Sequence, residues 1–245
     1  MSPIAAGQGA DLAYEEYGSG PPVLLVHGLA GDRLTLAPLA NEVATAGARV
    51  IVYSRRGYDG STAPEPYLGT TVAEQAADAA ALLRGLDAAP ALVAGDGFGA
   101  LIALDLLLRQ GDLVRAAVLH DPPLYALVPE ATRELSDAYE AIRAAVTEGG
   151  PDAGVASWLA GRADDATLAR MQAAHHAFFA DVAGLATLPV TRRELRAITQ
   201  PVTVLTGPGS SAATVAAADA LADLLPNVTR STDGDLAGAT TALLG

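Results

Sequence analysis

Short apolar runs punctuate the chain at Pro22 to Val26, Arg49 to Tyr53, Ala91 to Ala94, Ala116 to Leu119 and Val202 to Thr206, each bounded by turn-forming or polar residues. Runs of this length and flanking predict buried strands. Between them, Thr71 to Leu86 carries Val72, Ala76, Ala79, Ala80 and Leu83 at helical spacing, and Ala100 to Leu108 and Ala212 to Leu225 read as further helices. Strands alternating with helices predict an α/β fold, a mostly parallel sheet with helices on both faces.

The alternation breaks between about Leu124 and Leu195. There Glu134 to Val146, Val155 to Ala160 and Ala166 to Phe179 read as helices with no strand between them. Pro122-Pro123 marks the entry, and Leu188-Pro189 followed by Arg192-Arg193-Glu194 marks the exit. The expected organisation is one core built from 1–124 and 195–245, with a helical cap inserted at 125–194. A chain of 245 residues needs no second core.

Hydrophobic residues make up 51% of the chain and aromatics only 4%, so the core must be built from Ala, Val and Leu. The net charge is −13 and all 15 basic residues are arginine, which leaves no cationic surface for a phosphate backbone. Nucleic acid is therefore not an expected partner. The absence of cysteine excludes disulfides, thiolate metal sites and a cysteine nucleophile. No stretch reaches about 18 uninterrupted apolar residues, and the first residues lack a charged segment followed by an apolar run, so a cytoplasmic, non-membrane protein is expected. No cofactor or metal is expected either: the adjacent His175 and His176 would face different ways on a helix.

Val93 to Leu108, VAGDGFGALIALDLLL, is a short apolar strand, a Gly-rich turn and a helix, which is the setting of a nucleophile elbow. With LLVHGLAGD at Leu24 to Asp32, YSRRGYDGST at Tyr53 to Thr62, VLHDPPL at Val118 to Leu124, VTVLTGPGSS at Val202 to Ser211 and DGDLAG near the end, the chain resembles the α/β-hydrolase superfamily over nearly its whole length. The resemblance implies the α/β-hydrolase fold with a helical cap and a reactive cleft beneath it. It also implies where a nucleophile, an acid and a histidine should stand, and at each of these places this chain differs.

The family elbow needs small residues two before and two after the nucleophile. Placing the nucleophile at 97 puts Gly95 and Gly99 there, whereas placing it at Asp96 puts Phe98 there, so the position holds Gly97. Asp96 then falls at a place where relatives carry a structural aspartate, with a catalytic role as the alternative. The acid after the seventh strand is replaced by Gly209, although Asp121 stands where some members carry the acid; it reads equally as a turn residue before Pro122. The terminal histidine is replaced by Asp235, and no histidine follows His176. A carboxylate with an ordinary pKa near 4 is a poor substitute for imidazole at neutral pH.

The resemblance further implies a structural role for His27 in its HG pair with Gly28, and an oxyanion site formed by the Leu29 and Gly97 amides, which needs no side chain. His120, at the end of the sixth strand, is the best remaining acid–base candidate, with a core histidine as the plainer reading. His27, Gly28, Phe98, Tyr125, Trp158 and His176 are expected to line the cleft. Together these point to a non-hydrolytic enzyme of lyase, cyclase or isomerase type acting on a small, largely apolar substrate. The alternatives are an inactive protein that binds a small ligand or partner, and an atypical ester or epoxide hydrolase using Asp96. Against the last, dehalogenase-like relatives carry HGxP and a histidine that activates water, whereas this chain has HGLA and none at that place.

Overall fold

A computed structural model describes residues 2–128 and 131–245, so positions 129 and 130 of the expected cap lie outside the described residues. Among the described residues, eight strands form one sheet: β1 (Ile4–Ala6), β2 (Asp11–Tyr17), β3 (Pro22–Val26), β4 (Arg49–Tyr53), β5 (Ala91–Asp96), β6 (Val114–His120), β7 (Val202–Leu205) and β8 (Val228–Ser231). Their order is β1-β2-β4-β3-β5-β6-β7-β8. The first two strands run antiparallel and the rest pair in parallel.

The central strands are apolar throughout because both faces are covered. Along β3, Val23 and Leu25 pack with Ala40 and Val43 of α1 (Arg33–Thr45) and Ala237 of α9 (Leu236–Thr241). The alternate residues Leu24 and Val26 pack on the other face, with α2 (Val72–Gly85), α3 (Phe98–Arg109) and α8 (Ala212–Ala222). Each fully buried Val or Leu contributes about 1.5–3 kcal/mol relative to exposure, so shifting a strand by one residue would be costly on both faces. Aspartate and threonine caps start several helices, with reciprocal Asp32–Thr35 and Thr71–Glu74 boxes on α1 and α2.

Between β6 and β7 the described residues form a 3₁₀ turn at Tyr125–Leu127 and helices α4 (Ala131–Leu159), α5 (Asp165–Ala173), α6 (His175–Gly184) and α7 (Arg192–Leu195). The α4 span is two helices joined at Gly150, whose φ of 79° and ψ of −174° are not helical. Phe178, Met171, Val155 and Ile142 from this segment form a cluster with Ala30 and Tyr58 of the sheet-end loops. None of the described helices is long and apolar enough to cross a membrane.

The five predicted strands and the helices beginning near Thr71, Ala100 and Ala212 are present, while β1, β2, β8, α1, α7 and α9 are additions to the sequence reading. Pro38 lies inside α1 and interrupts its apolar pattern. The edge strand β8, VTRS, is only half buried and carries little hydrophobic signal.

Candidate active site

Strand β5 delivers its last residue, Asp96, to the carboxyl edge of the sheet, and the chain reverses at Gly97 into α3. Gly97 has φ 53° and ψ −113°, the left-handed turn expected at an elbow. Its neighbours are glycines for a steric reason. A Cβ at 95 would lie 2.2 Å from the Gly99 oxygen, and one at 99 would lie 2.1 Å from the Val26 oxygen. At 97 itself a Cβ would meet only the Gly28 Cα, at 3.9 Å. Position 97 thus has room for a side chain and holds none.

In the parallel register Asp96 pairs with His120 on β6. The His120 ring donates from Nδ1 to Asp96 Oδ1 at 2.8 Å, and its Nε2 lies 3.9 Å from Asp121 Oδ2. Burial alone would lower the His120 pKa, but the hydrogen bond to Asp96 and the charges of Asp96 and Asp121 outweigh it, leaving the pKa raised above 6.5. Asp121 adopts a positive φ of 45°, unusual for a residue with a side chain. Its carboxylate accepts from Ser210 Oγ at 2.6 Å, and the same hydroxyl accepts from the Gly207 N–H at 2.8 Å. Asp121 is thus both a turn residue and a member of a chain running Asp96–His120–Asp121–Ser210.

Above this chain lies a cavity of about 410 Å³ between the sheet edge, the β7–α8 loop and α4. Asp96 and Asp121 form one wall, Gly28, Leu29, Gly97 and Phe98 another, and Tyr125, Leu135, Trp158 and Leu185 supply apolar surface. Gly209, Ser210, Ser211 and Thr214 complete the polar side, with Glu134 and Arg162 also lining it.

The expected oxyanion pair needs correction. The Gly97 N–H donates to the His120 carbonyl at 2.9 Å, continuing the ladder between β5 and β6, and is not available to a ligand. The Leu29 and Phe98 amides have no acceptor among the described residues, and both residues line the cavity. The second free donor is therefore Phe98, in the first turn of α3, where helical N–H groups have no partner in their own helix.

Two expected cleft residues also lie elsewhere. His27 is buried outside the cavity lining: its Nε2 accepts from the Arg55 N–H at 3.0 Å, so Nδ1 carries the proton and donates to the Gly28 carbonyl at 2.9 Å. Burial and the Arg55 charge hold its pKa well below 6.5, consistent with a neutral structural ring. His176 lines a separate cavity of about 640 Å³ with Tyr67 and Leu68, because α6 turns it away from the sheet edge. Gly28, Phe98, Tyr125 and Trp158 do line the main cavity. Asp235 caps α9, accepting from the Gly238 N–H at 2.8 Å, and Gly209 is part of the lining.

Ser210 and Arg162 join the lining without belonging to any of the candidate sites expected from sequence. Ser210 carried a visible signal, following Gly209 in the loop after β7; Arg162 depends on where the helices after β6 fold back.

A profile of the alpha/beta hydrolase fold matches residues 21–149. An uncharacterized hydrolase of Bacillus subtilis is 38% identical over 120 residues, 49% of this chain and 44% of its own length. An epoxide hydrolase of Caballeronia sordidicola is 32% identical over 139 residues, 56% of this chain and 40% of its own. These matches thus span less than half the length of the curated relatives. The structure of an alpha/beta hydrolase from Sphaerobacter thermophilus superposes with a TM-score of 0.74 at 26% identity, covering 94% of this chain and 91% of that one. With more than half of its residues inside the family profile and the sheet, elbow and HG loop in their places, the chain belongs to the alpha/beta hydrolase fold family.

Proposed function

We propose that this protein is a cofactor-independent enzyme of lyase or isomerase type that moves a proton at the carbon beside a carbonyl group of a small, largely apolar substrate. The observation that carries the reading is Asp96 on the wall of a cavity that also holds the free Leu29 and Phe98 amides, its carboxylate hydrogen-bonded to His120, which itself lies outside the lining. In this reading Asp96 accepts the proton from carbon, and the two amides stabilise the negative charge that develops on the carbonyl oxygen. The proton is then returned at the same or a neighbouring carbon, or a leaving group departs from the β-carbon. His120 holds Asp96 in place through its Nδ1 hydrogen bond. Residues 125–194 serve as the cap, with Trp158 and Leu135 against the apolar body of the substrate. Hydrolysis through an acyl-enzyme has no nucleophile at Gly97 in this scheme.

The test is deuterium exchange into the α-position of small ketones such as acetophenone and cyclohexanone, followed by proton NMR in heavy water. The parent is expected to exceed its heat-denatured control, and Asp96→Asn to lower the enzymic rate by about 10²-fold or more. No exchange above the control for any ketone, with Kd values unchanged by Asp96→Asn, would favour the second reading, a ligand-binding protein without turnover. The observation favouring that reading is Gly97 itself, an elbow with space but no side chain.

His120 also makes a pH prediction. Its folded pKa is raised above the ordinary 6.5, so the protonated ring stabilises the fold. That stability is fully present below about pH 6.5 and is lost as pH rises through the folded pKa. A titration of the His120 ring by NMR should give a midpoint above the ordinary value, and Asp96→Asn should lower it. The Tm advantage of the parent over His120→Gln should shrink across the same window; an advantage that grows with pH would contradict the assignment.

A further inference from the structure

The Arg55 guanidinium is fully buried, and so is the carboxylate it meets, Asp181 on α6. Two parallel bonds join them, Nη1 to Oδ1 at 2.9 Å and Nη2 to Oδ2 at 2.6 Å. Tyr58 and Gln75 donate to the same carboxylate, at 2.7 and 3.1 Å. On its other side the guanidinium grips the loop after β3: Nε donates to the His27 carbonyl at 3.1 Å and Nη2 to the Gly28 carbonyl at 2.9 Å. The His27 ring donates to that same Gly28 oxygen. The Gly28 carbonyl is therefore held by two donors.

A trans peptide is planar, with its C=O and N–H pointing in opposite directions. Holding the Gly28 oxygen therefore sets the direction of the Leu29 N–H, the amide without an acceptor at the cavity wall. The same guanidinium lies 4.9 Å from the centroid of the Phe98 ring, on the residue that carries the second free amide. Neither Arg55 nor Asp181 lines the cavity.

We infer that Arg55, braced by Asp181, is the positioning residue that aims the Leu29 amide into the cavity. The role rests on reading the Leu29 and Phe98 amides as the donors to the developing oxyanion, but the orientation itself belongs to the resting protein. Because Asp181 comes from the helical segment after β6, docking of that segment and orientation of the donor form one unit.

The experiment measures residual dipolar couplings of backbone amides in weakly aligned, ¹⁵N-labelled full-length chain. The double variant Arg55→Met with Asp181→Leu removes both charges together and leaves apolar groups in their place. In it the Leu29 coupling is expected to collapse or change sign, while the couplings of β5 and β6 amides stay as in the parent. Arg55→Lys keeps a charge for Asp181, but a single ammonium cannot reproduce the planar fork across two carbonyls and a carboxylate. It should displace the Leu29 coupling in the same direction by less, and it decides the matter alone if the double variant does not fold. An unchanged Leu29 coupling in the folded variants overturns the inference. The readout needs no turnover: a displaced Leu29 coupling with no ketone exchange removes the proposed reaction and keeps the positioning role, and the opposite pair of results removes only the positioning role.

Discussion

Replacing Gly99 by alanine is expected to destabilise the protein by about 3 kcal/mol or more, a fall in Tm of roughly 6–12 °C for a domain of this size. The added methyl would stand 2.1 Å from the Val26 oxygen, 2.7 Å from its carbonyl carbon and 2.8 Å from the His27 oxygen. All three are backbone atoms of the strand and loop that carry the free Leu29 amide, so relief requires moving α3 away from β3. Gly209→Ala is the matched control, since nothing lies within 4 Å of a Cβ there. Thermal melts should leave that variant within about 0.5 kcal/mol of the parent. A Gly99→Ala protein melting with the parent would mean that the elbow and the HG loop are not packed as described.

Asp181→Ala is expected to cost about 3–5 kcal/mol in urea unfolding at neutral pH, because it leaves Arg55 buried and without a counter-charge. The Tyr58 hydroxyl and the Gln75 amide lose their acceptor in the same step. The double variant Arg55→Met with Asp181→Leu should recover much of that loss, since an apolar pair avoids the desolvation of both ions. A single variant that loses less than about 1 kcal/mol would show that water reaches the pair and screens it.

The physics that places these pairs also separates what could be read from sequence from what could not. The parallel sheet was legible because VLLV, VIVY, ALVA and AAVL are buried on both faces, and a strand covered twice needs uninterrupted apolar residues. The elbow was legible because it is local: β5, a tight turn at Gly97 and α3 are contiguous, and glycine is tolerated where φ is positive. The half-exposed strands β1, β2 and β8 carried weaker patterns, and Pro38 obscured α1.

The partners of the candidate groups belong to the tertiary structure. The consumption of the Gly97 amide follows from the β5–β6 register, in which Asp96 pairs with His120, and periodicity does not fix which residues of two strands stand opposite each other. His176 and Trp158 are both carried by helices after β6, yet one faces a separate cavity and the other the main one, because the docking of each helix decides the face it presents. Arg55 and Asp181 are 126 residues apart and become a pair only when α6 closes over the loop after β4. By itself the sequence determined the parallel centre of the sheet and the glycine turn after β5, both of which depend on composition and neighbours along the chain. Which amides remain free, and which charges meet, was decided by packing between distant segments, where burial makes an unpaired polar group too costly to leave to chance.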